Sequence, residues 1–138
     1  MKIKTDNIFK VIELDIQVDQ AYKSLLDGQL LAKLIGKKME IDPKVGGIYS
    51  GWDKKSHGFF TYMDKNRRFA MTWSHTEFPE GQFSTVIFDF ESTENGCRIS
   101  FNHIGVPEED AGWLTETWKN DYWTPIQEHF AVNAAVKA

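Results

Sequence analysis

Alternation of apolar and polar positions dominates the chain. Ile8, Ile12, Leu14, Ile16 and Val18 share one parity against Glu13, Asp15 and Gln17, which predicts a half-buried first strand over Ile8 to Val18. Asp19 then fits an N-cap for a short helix through Leu26 that Gly28 ends, and Leu30 to Ile35 fits a second short helix ended by Gly36. Turn residues punctuate the chain beyond Gly36: Asp42-Pro43 and Gly46-Gly47, Asp53 to Ser56, Asp64 to Arg67, Phe78 to Gly81, and Glu94-Asn95-Gly96. They delimit strands at Lys38 to Ile41, Ile48 to Trp52, Gly58 to Met63, Phe69 to His75 and Phe83 to Ser92.

The last strand, Cys97 to Ile104, sets Cys97, Ile99, Phe101 and His103 on one face and Arg98, Ser100 and Asn102 on the other. Beyond Gly105-Val106-Pro107, acidic Glu108, Glu109 and Asp110 suit a helix N-terminus, and dipole pairing explains them without any chemistry. Trp113, Leu114, Trp118, Tyr122, Trp123, Ile126 and Phe130 then recur at mainly helical spacing. Pro125 lies inside this pattern and predicts a kink or break near Tyr122 to Thr124. Seven short strands joined by tight turns form an antiparallel sheet with one apolar face, and the terminal helix is the element long enough to cover it. The predicted class is α+β: a curved antiparallel sheet gripping a long C-terminal helix, with two short helices after the first strand.

Composition narrows the partners. The 138 residues suit one domain over 1–138, and 41% hydrophobic residues suffice for a core. A formal net charge of −4 gives no broad basic surface, so neither nucleic acid nor an anionic membrane is an expected partner. Met1 to Asp6 lacks a signal-peptide core and no run reaches the ~18–20 apolar residues of a membrane span, so a cytoplasmic protein is expected. The single cysteine, Cys97, allows no internal disulfide and reads as a small buried hydrophobe. His57, His75, His103 and His129 are scattered, and no phosphate loop, nucleophile elbow, paired-cysteine site or helical zinc signature occurs, so no metal, cofactor or catalytic residue is predicted.

Strand parity points His103 inward with Phe101 and Ile99. It fits a core histidine bonded to a neighbour, a ligand-orienting group, or an acid/base whose partner the sequence does not supply. The inward aromatics fit either a solid core or the wall of an apolar pocket, since both need the same residues.

Several of these segments together resemble a known family. Val45-Gly46-Gly47 precedes a strand, Thr72-Trp73-Ser74 closes another, and His103-Ile104-Gly105-Val106-Pro107-Glu108-Glu109 follows the last; Trp118 and Tyr122-Trp123-Thr124-Pro125 stand in the helix. In order and spacing, from about Ile8 to Phe130, they resemble the activator-of-heat-shock-protein-90-ATPase-like family of the START-like (SRPBCC) superfamily. A glycine commonly precedes the helix tryptophan in that family, whereas Thr117 precedes Trp118 here. The resemblance implies a Bet v 1-like helix-grip fold with a hydrophobic cavity between sheet and helix. It also implies a chaperone partner, because the eukaryotic members that name the family act on a chaperone, through a related domain joined to another.

The expected function is noncatalytic binding of a small apolar or aromatic molecule in that cavity, lined by Phe60, Tyr62, Trp73, Phe88, Phe101, His103, Trp118 and Tyr122. The alternatives are a chaperone-associated interaction domain, or a cyclase- or hydrolase-type enzyme with His103 as acid/base. The chain is expected to act as a monomer or homodimer.

Overall fold

The computed structural model describes residues 4–137, with side chains through 131. Residues 1–3, on which the expected lack of a signal peptide partly rests, lie outside them. Seven strands form one antiparallel sheet: β1 (Thr5–Leu14), β2 (Glu40–Ile41), β3 (Ile48–Gly51), β4 (Ser56–Asp64), β5 (Arg68–His75), β6 (Ser84–Thr93) and β7 (Gly96–Pro107), in the order β1-β7-β6-β5-β4-β3-β2. Two helices, α1 (Val18–Ser24) and α2 (Gly28–Ile35), follow β1. A 3-10 turn (Glu108–Asp110) leads into α3 (Ala111–Thr117), a π-helical segment (Trp118–Trp123) and α4 (Thr124–Lys137). This is the helix-grip arrangement, with the long helix lying across the inner face of the sheet.

The strand parities hold where the sequence alternates cleanly: Ile8, Ile12 and Leu14 on β1, Val86, Phe88 and Phe90 on β6, and Cys97, Ile99, Phe101 and His103 on β7 are all buried. The first strand is shorter than its alternation suggests. It stops at Leu14 and Val18 already opens α1, so Asp19 lies in the first helical turn and Gln17, without a side-chain hydrogen bond, occupies the cap. Asp27 does cap α2, accepting from Leu30 N at 3.1 Å, and Gly28 begins that helix instead of ending the one before it. Gly36 closes α2 in the left-handed conformation at φ 76°.

The Gly46-Gly47 pair has a steric cause. Gly46 is left-handed at φ 82°, and a Cβ on Gly47 would lie 2.1 Å from the Asp42 carbonyl oxygen, so the turn into β3 folds only without side chains there.

Pro125 does not break the helix. The ladder widens to a π turn just before it, where the Thr124 N–H and, at 2.8 Å, its Oγ1 both donate to the Lys119 carbonyl. The wider turn keeps Trp118, Tyr122 and Trp123 facing inward together, with Ile126 and Phe130 continuing the buried stripe.

The β3–β4 turn is strained. Trp52, Asp53 and Lys54 are three consecutive non-glycine residues with positive φ, at 53°, 58° and 72°. Asp53 is pinned there, its Oδ1 accepting from Lys38 N at 2.7 Å and its N–H donating to the Lys38 carbonyl. Lys54 is exposed and its backbone alone sets its conformation. Lys54→Gly is therefore expected to raise stability by up to about 1 kcal/mol, because glycine adopts this φ without the Cβ clash. Urea unfolding checks it, and a variant less stable than the parent would show that the turn is not strained at Lys54.

Candidate functional site

Seven of the eight residues expected to line a cavity lie on the inner face or on the helix that covers it. Phe60, Trp73, Phe88, Phe101, His103, Trp118 and Tyr122 are each no more than 3% exposed. Tyr62 is the exception. A β-bulge between Phe60 and Tyr62 breaks the alternation of β4, pairing Phe60 with Met71 but Tyr62 with Ala70, so Tyr62 stands on the outer face, 49% exposed. Tyr49 on β3 is buried as well.

The inward rings meet each other. Phe101 and Trp118 lie 4.8 Å apart by ring centroids, Trp118 and Tyr122 5.0 Å, Phe88 and Phe101 5.2 Å, and Trp73 and Trp118 5.7 Å. Trp52 closes over the end of this stack against Trp118 at 6.0 Å, while Trp123 and Phe69 extend it along the groove. The groove between sheet and helix is thus occupied by the chain's own side chains, and the helix approaches the sheet closely at Trp118 with Thr117 in place of the usual glycine.

His103 lies within this stack and has the partners that sequence reasoning did not supply. Trp118 Nε1–H donates to His103 Nδ1 at 3.0 Å, so in the neutral ring the proton sits on Nε2, which faces Ser84 Oγ at 2.7 Å. Ser84 Oγ in turn donates to the Trp73 carbonyl at 2.8 Å. Every polar atom of the relay is used. Burial pushes the His103 pKa down to about 3, so the imidazole is neutral across the physiological range. A serine beside a histidine suggests a nucleophile and its base, but the tautomer runs the wrong way: Nε2 holds its proton toward Ser84 and cannot accept another. Ser84 was findable from sequence, since it shares the parity of Val86 and Phe88; Trp118 carries no linear signal linking it to His103.

The other polar interior groups are similarly quiet. Burial pushes the Tyr49 phenol well up, offset in part by the neighbouring Trp73 indole and Ser56 hydroxyl, although neither reaches it in a fully formed hydrogen bond. The buried Cys97 thiol is pushed up to about 11, which keeps it protonated. Asp110 accepts from Trp113 Nε1 at 2.7 Å, giving that acidic residue a structural bond at the start of α3. Among the described residues no group of three or more His, Cys, Asp or Glu could hold a metal ion, and no helix is long and apolar enough to cross a membrane.

One open space adjoins the stack: a cleft of about 240 Å³ at the end of the groove, between the β3–β4 turn, the end of β5 and α3. Trp73 and Trp118 form its floor.

This fold and interior are those of a helix-grip protein. The chain belongs to the family described as Activator of Hsp90 ATPase homolog 1-like protein, which matches residues 15–131. Among curated relatives it is 21% identical over 116 residues to the mouse activator of 90 kDa heat shock protein ATPase homolog 1, covering 84% of this chain and 34% of that protein. An uncharacterised protein of Schizosaccharomyces pombe is 20% identical over 134 residues, covering 97% of this chain and 40% of its own length. The chain therefore spans well under half of these relatives. Its fold is similar to the crystal structure of an Hsp90 activator from Plasmodium falciparum (TM-score 0.82, 22% identity, 91% of this chain and 96% of that one). It is also similar to the solution structure of an Aha1 dimer from Colwellia psychrerythraea (TM-score 0.75, 16% identity, 91% and 96%).

The low His103 pKa sets a pH dependence. The unfolded chain takes up this proton near pH 6.5, the folded chain near 3, so the stability contribution is complete above 6.5 and declines as pH falls through that window. The expected slope from this group approaches about 1.4 kcal/mol per pH unit between pH 6 and 4, measured by urea unfolding. His103→Gln, which can still accept from Trp118 and donate to Ser84, should fold and lose this slope. His103→Phe leaves the Trp118 N–H unpaired and should lose a further ~1–3 kcal/mol at pH 7. An unchanged slope in His103→Gln would contradict the assignment.

Proposed function

We propose that this chain is a noncatalytic interaction domain that binds an Hsp90-type chaperone and raises its ATPase turnover. The observation that carries this reading is the filled groove: the aromatic side chains that would line a ligand cavity pack on one another, which leaves recognition to the surface. Family membership and the names of the mouse and Plasmodium relatives supply the class of partner. Action as one domain and a cytoplasmic setting belong to the same proposal.

The surface offers what such a partner needs. On the outer face of the sheet Ile48 pairs with Phe59, while a second row runs from Tyr62 through Ala70, Ile87 and Asn102 to Phe9. Phe9, Ile48, Phe59, Tyr62 and Ile104 are all large, apolar or aromatic, and exposed. The two rows beyond carry charge, Arg68 paired to Asp89 in one, and Arg98 to Glu13 and Glu91 in the other. An apolar centre with a charged border matches the anatomy of a protein interface, and no element of the described chain covers it.

Adding the purified protein to an Hsp90-type ATPase should raise the steady-state ATP hydrolysis rate in a saturable way. Phe59→Glu, at an exposed position, should keep the melting temperature and weaken the effect about tenfold, equivalent to about 1.4 kcal/mol. No change in the rate at saturating protein, together with no binding by calorimetry, would overturn the proposal.

A further inference from the structure

The β3–β4 turn sets two pairs of lysines side by side. Lys37 and Lys38 follow α2, and Lys54 and Lys55 lead out of the left-handed turn toward β4. Lys38 and Asp53 bind each other twice, the Asp53 N–H donating to the Lys38 carbonyl at 3.2 Å and the Lys38 N–H to Asp53 Oδ1 at 2.7 Å, so the two segments keep one spacing. Asp53 Oδ2 lies 4.0 Å from Lys37 Nζ, and Glu40 Oε1 lies 3.2 Å from Lys38 Nζ. The first pair thus has its carboxylates. Lys54 and Lys55 are exposed and have no ion-pair partner among the described residues.

We infer that this corner docks a short acidic segment of a partner protein, whose carboxylates meet Lys54 and Lys55 beside the pair that Asp53 and Glu40 already serve. The backbone gives independent support. Lys54 holds φ 72°, where glycine sits without strain and a Cβ costs stability, and such strain commonly persists at binding sites. Packing does not offset it, since the Lys54 side chain is exposed, so the ammonium group is what the position presents.

The chemistry favours carboxylates in a row over other anions. Turn N–H groups that could cradle a phosphate are engaged, that of Asp53 with Lys38 and that of Lys55 with the Trp52 carbonyl at 3.2 Å. The cations of the corner are ammonium groups, which act as point charges and lack the fork that grips one phosphate at two oxygens. A long polyanion such as nucleic acid would run on past Glu40 and Glu77, in a chain of net charge −4, and be repelled. A stretch of a few carboxylates meets the lysines alone. This site does not rest on the chaperone reading.

Hexaglutamate peptide is the probe. In proton–nitrogen correlation spectra of labelled protein, it should shift the amides of Lys38, Asp53, Lys54 and Lys55 with one saturable affinity, which falls about tenfold as salt rises from ~0.02 to ~0.2 M. Lys54→Gly, expected to stabilise the turn, should nonetheless weaken binding about threefold or more, and Lys54→Glu combined with Lys55→Glu should abolish it. Lys23→Glu should leave it unchanged, because α1 packs through Tyr22 on Phe69 and Phe90 at the far end of β5 and β6. Equal affinity in Lys54→Gly and the parent would overturn the inference. So would tighter binding of oligothymidylate than of the peptide, or saturation of the same amides by inorganic phosphate at the peptide's affinity. Because ATPase stimulation is read separately, either proposal can fail alone.

Discussion

The structure depends on one buried relay, Trp118 to His103 to Ser84 to the Trp73 carbonyl. It ties the covering helix to β7, β7 to β6, and β6 to β5, crossing three neighbouring strands through polar atoms that have no access to water. An imidazole so deep in an aromatic stack would be costly if any of its nitrogens lacked a partner. Both are used, and the relay therefore fixes which way the helix is rotated on the sheet as well as how closely it approaches. The rings around it, from Phe88 to Tyr122, then supply dispersion and burial but little direction.

The π turn serves the same end. A regular α-helix through Trp118–Trp123 would carry Trp123 away from the stripe set by Trp118 and Tyr122, and the wider turn before Pro125 keeps all three in the groove. The space between sheet and helix is thus occupied by the protein's own rings. The proposed chaperone contact accordingly lies outside the groove, on the exposed apolar rows of the sheet.

Much of this is legible in the sequence. The alternation in β6 and β7 fixes which side chains face inward, and the turn residues divide the sheet into seven strands, because both signals are local and steric. The helix-grip class follows from one apolar sheet face and one long aromatic helix. The bulge at Phe60 and Tyr62 is not legible, since a one-residue change of register in β4 is decided by its pairing with β5 and leaves no mark on a run of aromatics. Nor is the choice between a filled and an open groove, which turns on rotamers of rings that serve either state equally. The partners of His103 fall between these cases: strand parity points Ser84 at the right face, but only the folded helix brings the Trp118 indole within 3.0 Å.

The relay fixes the place of one proton. Nitrogen NMR of histidine-labelled protein at pH 5 resolves the protonation of both ring nitrogens of His103. The relay requires a neutral ring with the proton on Nε2, and an Nδ1 shift typical of an acceptor. An imidazolium at that pH, or a proton on Nδ1, would contradict it, because Trp118 could not then donate to the ring and the helix would lose this polar anchor on the sheet.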